Sequence, residues 1–246
     1  YNTCGHAAQC VDRYFELAKK SKDELRPVAT PSIDDHMLDA TDFTNKGELS
    51  PVAARIVLKA LYLARIGRPD VLWAVNSLAR EVTRWTVACD KRLHRLISYL
   101  HFTEKWTQTC YVGNHVSDCW IALFSDASFA GDLSDSKSTS GAYMCLVGSH
   151  TFVPLSWICK KQTAVSHSSS EAEVISLEAS LRMEGIPALA FWETIQEILA
   201  DRTAGGDSCL TKPKPLRTQK YPRTLVDFLS DDDHVPPVLP KSKGLT

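Results

Sequence analysis

Asp126 directly follows the apolar run Leu123-Phe124 and Ser125, and precedes a turn-like stretch, Ala127-Ser128-Phe129-Ala130-Gly131. Further along, Glu173 lies about one turn into a segment opened by Ser168, Ser169 and Ser170. If a strand ends at Asp126 and a helix carrying Glu173 crosses the sheet, the two carboxylates converge at one end of that strand. Paired carboxylates are hard-oxygen ligands suited to Mg²⁺, which clamps the attacking and leaving oxygens in phosphoryl transfer. Glu171 is the rival for the helix position. Two residues earlier, it points about 200° around the helix, so at most one of the two faces the metal. Spacing alone does not separate this reading from an exposed strand-end aspartate and a helix-capping glutamate.

A second set of chemically suggestive residues is basic. Residues 55–105 hold ten Lys+Arg against four Asp+Glu, a balance of +6, whereas residues 1–50 hold six against nine, a balance of −3. Arg80, Arg84, Lys91, Arg92 and Arg95 decorate the solvent faces of this block, and Lys160 and Lys161 add to the set further on. Such a stripe is either a solvated helix surface or a surface for nucleic-acid phosphates. The eight cysteines contain no C-x-x-C pair. Cys4, His6 and Cys10 form a tight cluster, but nothing nearby supplies the other half of a zinc site, so reduced free thiols are the preferred reading.

The elements that must position these groups follow from period and punctuation. Ser50 and Pro51 read as an N-cap and first-turn proline for a helix whose apolar face is Ile56, Ala60, Leu61, Leu63 and Ala64, ending at Gly67. Pro69 restarts a helix carrying Val71, Leu72, Val75, Leu78, Ala79 and Val82, and a third carries Leu93, Leu96, Ile97 and Leu100. From about residue 118 the period changes from 3.6 to 2. Residues 119–124, 142–147 and 151–157 are strand candidates, the last pushed toward an edge by Pro154. Gly148, Ser149 and His150 suit a tight hairpin. The serine cluster opens a helix running to about Met183, and Pro187 begins another stretch to about Leu199. The expected class is therefore mixed α/β (α+β), with a helical block at 51–110, a three-stranded antiparallel meander with packed helices at 118–200, and a linker at 1–50. Six of the twelve prolines lie between 213 and 240, so 201–246 reads as a linker or disordered insertion. The total composition, 44% hydrophobic with a net charge of −1, excludes collagen, a disordered chain and a membrane span, and reads as a soluble intracellular protein. Tyr1 in place of Met points to a processed product or a piece of a longer reading frame.

Four ordered motifs carry a resemblance. Ser125-Asp126-Ala127-Ser128-Phe129-Ala130-Gly131-Asp132, Lys137-Ser138-Thr139-Ser140-Gly141, Ser156-Trp157-Ile158-Cys159-Lys160-Lys161-Gln162 and Ser168-Ser169-Ser170-Glu171-Ala172-Glu173 resemble the RNase H domain of copia-type LTR retrotransposon Pol polyproteins. Upstream, Leu61-Tyr62-Leu63-Ala64, Arg68-Pro69-Asp70 and Arg95-Leu96-Ile97-Ser98-Tyr99-Leu100 resemble the helical tail of the reverse transcriptase that precedes it, which implies the end of the reverse transcriptase region and a linker at 1–50, a helical thumb or connection segment at 51–110 and an incomplete RNase H-like domain at 118–200. The resemblance covers roughly residues 27 to 200. It implies two-metal-ion hydrolysis of RNA in RNA·DNA hybrids, with Asp126 and Glu173 as catalytic carboxylates and metal ligands and Glu171 as the rival. It also implies two Mg²⁺ (or Mn²⁺) ions as cofactors. The partners would be the hybrid, the template nucleic acid and the rest of the polyprotein, with no membrane. The location would be cytoplasmic, in a virus-like particle, or nuclear, and not secreted. Asp132 is expected to organise the turn, and Ser138 and Thr139 to start the second strand.

The departures matter equally. The family sheet has a further strand beside the first, ending in Asp-Asn and supplying a third carboxylate, and no such strand is legible after Leu199. Asp231, Asp232 and Asp233 are poor substitutes, with prolines at 236 and 237. Ile33-Asp34-Asp35 imitates a polymerase motif, but Pro27 and Pro31 precede it, so Asp34 and Asp35 are expected at the surface. Two readings remain open: a truncated hybrid-cleaving enzyme, inactive as this fragment alone, and a catalytically dead nucleic-acid-binding remnant. With no strand beside it, the first strand is expected to be an edge, and the helix surface at 174–191 to lack an apolar neighbour.

Overall fold

The computed structural model describes residues 4–131 and 135–204. Helix α1 (Cys4–Ala18) was not legible in the acidic lead-in, where a linker was expected. Its buried residues Ala7, Cys10, Val11 and Tyr14 recur at i, i+3, i+4 and i+7, so the segment closes an apolar stripe on one face. That face packs on α2 (Ala53–Ile66) and α4 (Val87–Phe102). Between them, α3 (Leu72–Arg80) is entered through a 3-10 turn at Pro69–Val71, with proline in the first turn where its missing N–H costs nothing. Ile56, Val57, Leu63, Val71, Val75, Leu93, Leu96, Ile97 and Leu100 are fully buried among these helices. Each such side chain stabilises the fold by about 1.5–3 kcal/mol before chain entropy is counted.

Ser50 does not cap α2 as expected. The helix begins at Ala53, with Val52 in the cap position and no side-chain cap bond. A backbone turn satisfies the helix start instead, because Leu49 O accepts from the N–H groups of Val52 (2.9 Å) and Ala53 (2.7 Å). The turn is anchored by Asp90 on α4, whose carboxylate accepts from Glu48 N (2.6 Å), Leu49 N (3.3 Å) and Trp85 Nε1 (2.6 Å). Gly47 is required here, because a Cβ would lie 2.5 Å from the Thr86 carbonyl oxygen.

The expected three-stranded meander is present, and one further short strand makes the sheet four-stranded in the order β1-β4-β3-β2. The added strand, β1 (Tyr111–Val112), is two residues long and pairs only with Thr151 and Phe152, too short for period-2 patterning to reveal. Strands β2 (Trp120–Ser128), β3 (Thr139–Gly148) and β4 (Thr151–Lys161) form the antiparallel meander, and β2 is an edge among the described residues. Past Phe152 the outer side of β4 has no strand partner among the described residues, so Pro154 stands at an edge, as expected. It sits at a bulge, where Met144 pairs with Ser156 and Cys145 with Pro154, so Leu155 is the extra residue and the ladder tolerates the proline.

Helix α5 (Ser169–Ser180) crosses β2 and β3. No break follows at Met183. A π turn over Leu181–Gly185 leads directly into α6 (Ile186–Ala204), with Ile186 N–H bonded to Leu181 O. Pro187 can donate no N–H, and the wider π turn accommodates it without ending the helix. Val174, Leu177, Leu181, Ile186, Leu189 and Phe191 are exposed, as expected for a helix surface with no neighbour. Among the described residues, no helix is long and apolar enough to cross a membrane.

The sheet is fastened to the helices through β4. Trp157 Nε1 donates to Ala64 O (2.8 Å), and Asn76 Nδ2 donates to Cys159 O (2.9 Å). Trp157 and Cys159 also pack against the helical core.

Candidate functional site

The meander places Asp126 opposite Gly141 and Ala127 opposite Ser140. Strand alternation then assigns two faces. On one lie Leu123, Ser125 and Ala127, opposite the buried Met144, Ala142 and Ser140. This is the α5 face: Gln162 Nε2 donates both to Ser140 Oγ (3.0 Å) and to Ala172 O (2.9 Å) on α5. Asp126 belongs to the other set, with Phe124 and Ser128, on the face where Tyr143 stacks on Trp157.

Glu173 arrives from the α5 face. Its Oε1 accepts the N–H of Ala127 at 3.2 Å, one peptide beyond Asp126. The buried Ser176, one turn on, donates its hydroxyl to Asp126 O (2.6 Å) and approaches Gly141 O (3.3 Å). The peptide group joining Asp126 to Ala127 is therefore pinned to α5 at both its C=O and its N–H. Glu171 does something else. Ser168 Oγ accepts from Glu171 N (3.1 Å), and the Glu171 carboxylate accepts from His167 N (2.7 Å), a reciprocal N-terminal cap. The 200° separation of the two glutamates thus becomes a division between capping and contact with β2.

Asp126 is exposed, and Glu173 uses one carboxylate oxygen on Ala127, leaving the other uncommitted to that bond. Asp126 and Glu173 are hard-oxygen donors of the type that Mg²⁺ takes, commonly one or two carboxylates together with substrate phosphates. Among the described residues, no group of three or more His, Cys, Asp or Glu side chains could hold a metal. Asp132 and Asp231–Asp233 lie outside the described residues, as do residues 205–246 of the segment expected to be a linker. Thr139 begins β3, and the buried Ser138 just before it accepts Ala130 N–H on its hydroxyl (3.1 Å), so both are structural at this end of the sheet.

The basic candidates divide. Lys91 pairs with Asp42 (2.5 Å), Arg92 with Asp35, and Arg95 donates to Thr30 O (3.1 Å) and Thr30 Oγ1 (2.9 Å). These three bind the acidic lead-in to α4. Lys161 pairs with Asp135 (2.8 Å), and Lys160 is exposed. Arg84 is open, its side chain 77% exposed with Glu81 3.5 Å away, a pairing of little energetic weight. Arg80 and Arg84 line a cavity of about 540 Å³ that also takes in Ser128 and Thr139 from the sheet. Asp34 caps a short turn by accepting His36 N–H (3.0 Å). Sequence reasoning missed Trp73, which lines the same cavity: its place off the apolar stripe of α3 was the available signal.

Cys10 is wholly buried, and burial raises its thiol to about 11, which makes it a core residue and a poor metal ligand. His6 stacks at a tilt on Tyr62 with its Nε2 3.4 Å from Lys59 O.

The chain is 33% identical over 174 residues to the retrovirus-related Pol polyprotein from transposon RE1 of Arabidopsis thaliana, covering 70% of this chain and 11% of that one. It is 34% identical over 161 residues to the corresponding polyprotein from transposon RE2, covering 65% and 10%. An uncharacterized mitochondrial protein of the same plant, AtMg00810, is 30% identical over 127 residues, half its length. The chain thus spans about a tenth of the transposon polyproteins it matches. No family model and no solved structure matches it.

Proposed function

We propose, for a chain homologous to one stretch of copia-type retrotransposon Pol polyproteins, that residues 118–200 form an RNase H-type site for RNA in RNA·DNA hybrids. Residues 51–110 are then the helical tail of the preceding reverse transcriptase. The observation that carries this reading is the Glu173 carboxylate seated on the peptide that follows Asp126, within the four ordered motifs. Asp126 and Glu173 would hold the Mg²⁺ or Mn²⁺, which when bound supplies charge for phosphodiester hydrolysis. The chain's own residues set the geometry. Ala127 N–H orients Glu173, Ser176 fixes the backbone at Asp126, and Gly141 leaves space opposite the aspartate, since even an added Cβ would meet nothing closer than 3.8 Å. Arg80, Arg84 and Lys160 are the basic side chains proposed to follow the hybrid backbone in a salt-sensitive manner. Lys91, Arg92, Arg95 and Lys161 would contribute long-range field in addition to their internal pairs. On this reading the protein works with the rest of the polyprotein in the cytoplasm or nucleus.

In the full-length polyprotein, Asp126→Asn should abolish Mg²⁺-dependent cleavage of a labelled hybrid and leave hybrid affinity unchanged. Retained cleavage would sink the assignment. A second reading, a nucleic-acid-binding remnant without activity, is favoured by the two-carboxylate limit among the described residues. It predicts hybrid binding with no cleavage in the unsubstituted polyprotein.

A further inference from the structure

The cavity beside α3 has features that hybrid cleavage does not use. Its volume, about 540 Å³, lies in the small-ligand range, which suits a short unpaired stretch of nucleic acid. Trp73 lines it while 48% exposed, and Phe43, also on its wall, is 42% exposed. Tryptophan, with an apolar body and a polar N–H, is enriched at interfaces where one side is apolar and the other wet. Arg80 lies about two turns along α3 from Trp73, and Arg84 just past the end of that helix, both on the same lining. Arg92, which stacks over the Phe43 ring at 5.4 Å, is already neutralised by Asp35, whereas the side chain of Arg84 is 77% exposed on the wall. On the opposite wall, Ser128 and Thr139 come from the sheet face that carries Asp126.

We propose that this cleft takes a single-stranded stretch of nucleic acid, one unpaired base stacking on Trp73 and the adjoining phosphates meeting Arg84 and then Arg80. An aromatic platform beside a cationic rim is the arrangement by which single strands are held without sequence preference. A duplex can meet the two arginines through its backbone but cannot use the Trp73 platform, because its bases are already stacked on one another. The cleft therefore selects a strand that has left, or not yet entered, the paired region, and presents it along the Asp126 face. The inference rests on the helical block being a nucleic-acid surface, as proposed above, and does not depend on cleavage.

The test uses fluorescein-labelled dodecathymidylate and, separately, its blunt hybrid with the complementary RNA dodecamer, titrated with the 246-residue chain by anisotropy. Trp73→Ala should weaken single-strand binding about tenfold, the loss expected for one base–aromatic stack, and shift hybrid binding by less than about twofold. Trp73→Phe should restore most of the single-strand affinity, which a merely structural role for the indole would not require. Equal losses on both probes, or unchanged single-strand binding in Trp73→Ala, would overturn the proposal. So would polyglutamate of matched length competing as well as the unlabelled oligonucleotide, which would make the cleft a general anion site. The outcome is separable from the catalytic reading, because Asp126→Asn tests cleavage and leaves the Trp73 platform intact.

Discussion

Arg68 offers the most exacting test of how the helical block is held together. Its side chain is 7% exposed, yet carries a full charge. Nε and Nη2 fork onto the Asp70 carboxylate (2.9 and 2.8 Å), while Nη1 donates to Thr103 O (3.0 Å) and Nη2 to Thr103 Oγ1 (2.8 Å). Tyr99 completes the cluster by donating its hydroxyl to Asp70 (3.0 Å). The guanidinium also lies 5.7 Å from the Tyr99 ring and 5.8 Å from the Trp106 ring. One side chain thus joins the turn before α3 to the C-terminal end of α4. Arg68→Met leaves Asp70 partly buried without its countercharge and Thr103 O without its donor. Removing one partner of such a pair costs about 3–5 kcal/mol. Arg68→Lys keeps the charge and loses the fork, for a smaller loss of about 1.5–3 kcal/mol. Urea unfolding followed by far-UV circular dichroism reads this directly: with a slope of about 2 kcal/mol/M, the Met variant's midpoint should fall by about 1.5–2.5 M at unchanged slope. A loss below about 1 kcal/mol, the size of an ordinary surface or mild core change, would refute the claim that this cluster joins the two helices.

Two further outcomes follow from the same structure. Glu171→Ala removes the acceptor for His167 N–H and should destabilise α5 by about 0.5–2 kcal/mol, seen as a lowered thermal midpoint, while leaving hybrid cleavage intact; loss of cleavage without loss of stability would reverse the roles given to Glu171 and Glu173. Acid should loosen the helical block in two steps. Burial, with Lys20 nearby, holds His94 below its ordinary 6.5, and the hydrogen bond from Lys91 holds Asp42 below its ordinary 3.8. Both shifts are downward, so each contribution is complete above the ordinary value and is lost as pH falls through the lower folded one. The urea midpoint should decline below about pH 6.5 and again below about pH 3.8, and His94→Gln should remove the first decline; a midpoint that rises between about pH 7 and 5.5 would contradict it.

How far the chain could be read in advance depended on whether each element announces itself locally. The helices at 53–66, 72–80 and 87–102 did, because their apolar stripes are long and Gly67 and Pro69 punctuate them. The core of the meander did, through alternation and the hairpin at Ser149-His150. Helix α1 did not, since its conspicuous residues, Cys4, His6 and Cys10, suggest metal or thiol chemistry, and Cys10 proved to be an apolar core side chain. Strand β1 could not, because two residues show no period and their pairing with Thr151 and Phe152 is long-range. The π turn was hidden by Pro187, whose usual meaning as a helix boundary is overridden when a wider turn precedes it. At the site, Glu173 and Glu171 were both visible, but only the hydrogen bonds to Ala127 and His167 divide their roles.

The basic block shows most plainly why a charge count is not a surface. The +6 balance over residues 55–105 and the −3 balance over residues 1–50 suggest a cationic face and an unrelated acidic lead-in. In the fold the two answer each other: Lys91 and Arg92 neutralise Asp42 and Asp35, and Arg95 is bound to Thr30. Much of the positive charge on α4 is therefore used to hold the lead-in across the helices. An open charge stands past the end of α3, at Arg84, on a wall shared with Trp73 and with Ser128 and Thr139 of the sheet. Strand alternation sets Asp126 on that same face of the sheet, while Glu173 comes from the other. A strand entering from the cleft would reach Asp126 first, and Glu173 only around the edge of β2, where its carboxylate is held by Ala127 N–H. That order makes the edge of β2 the point at which the binding surface and the proposed chemistry meet.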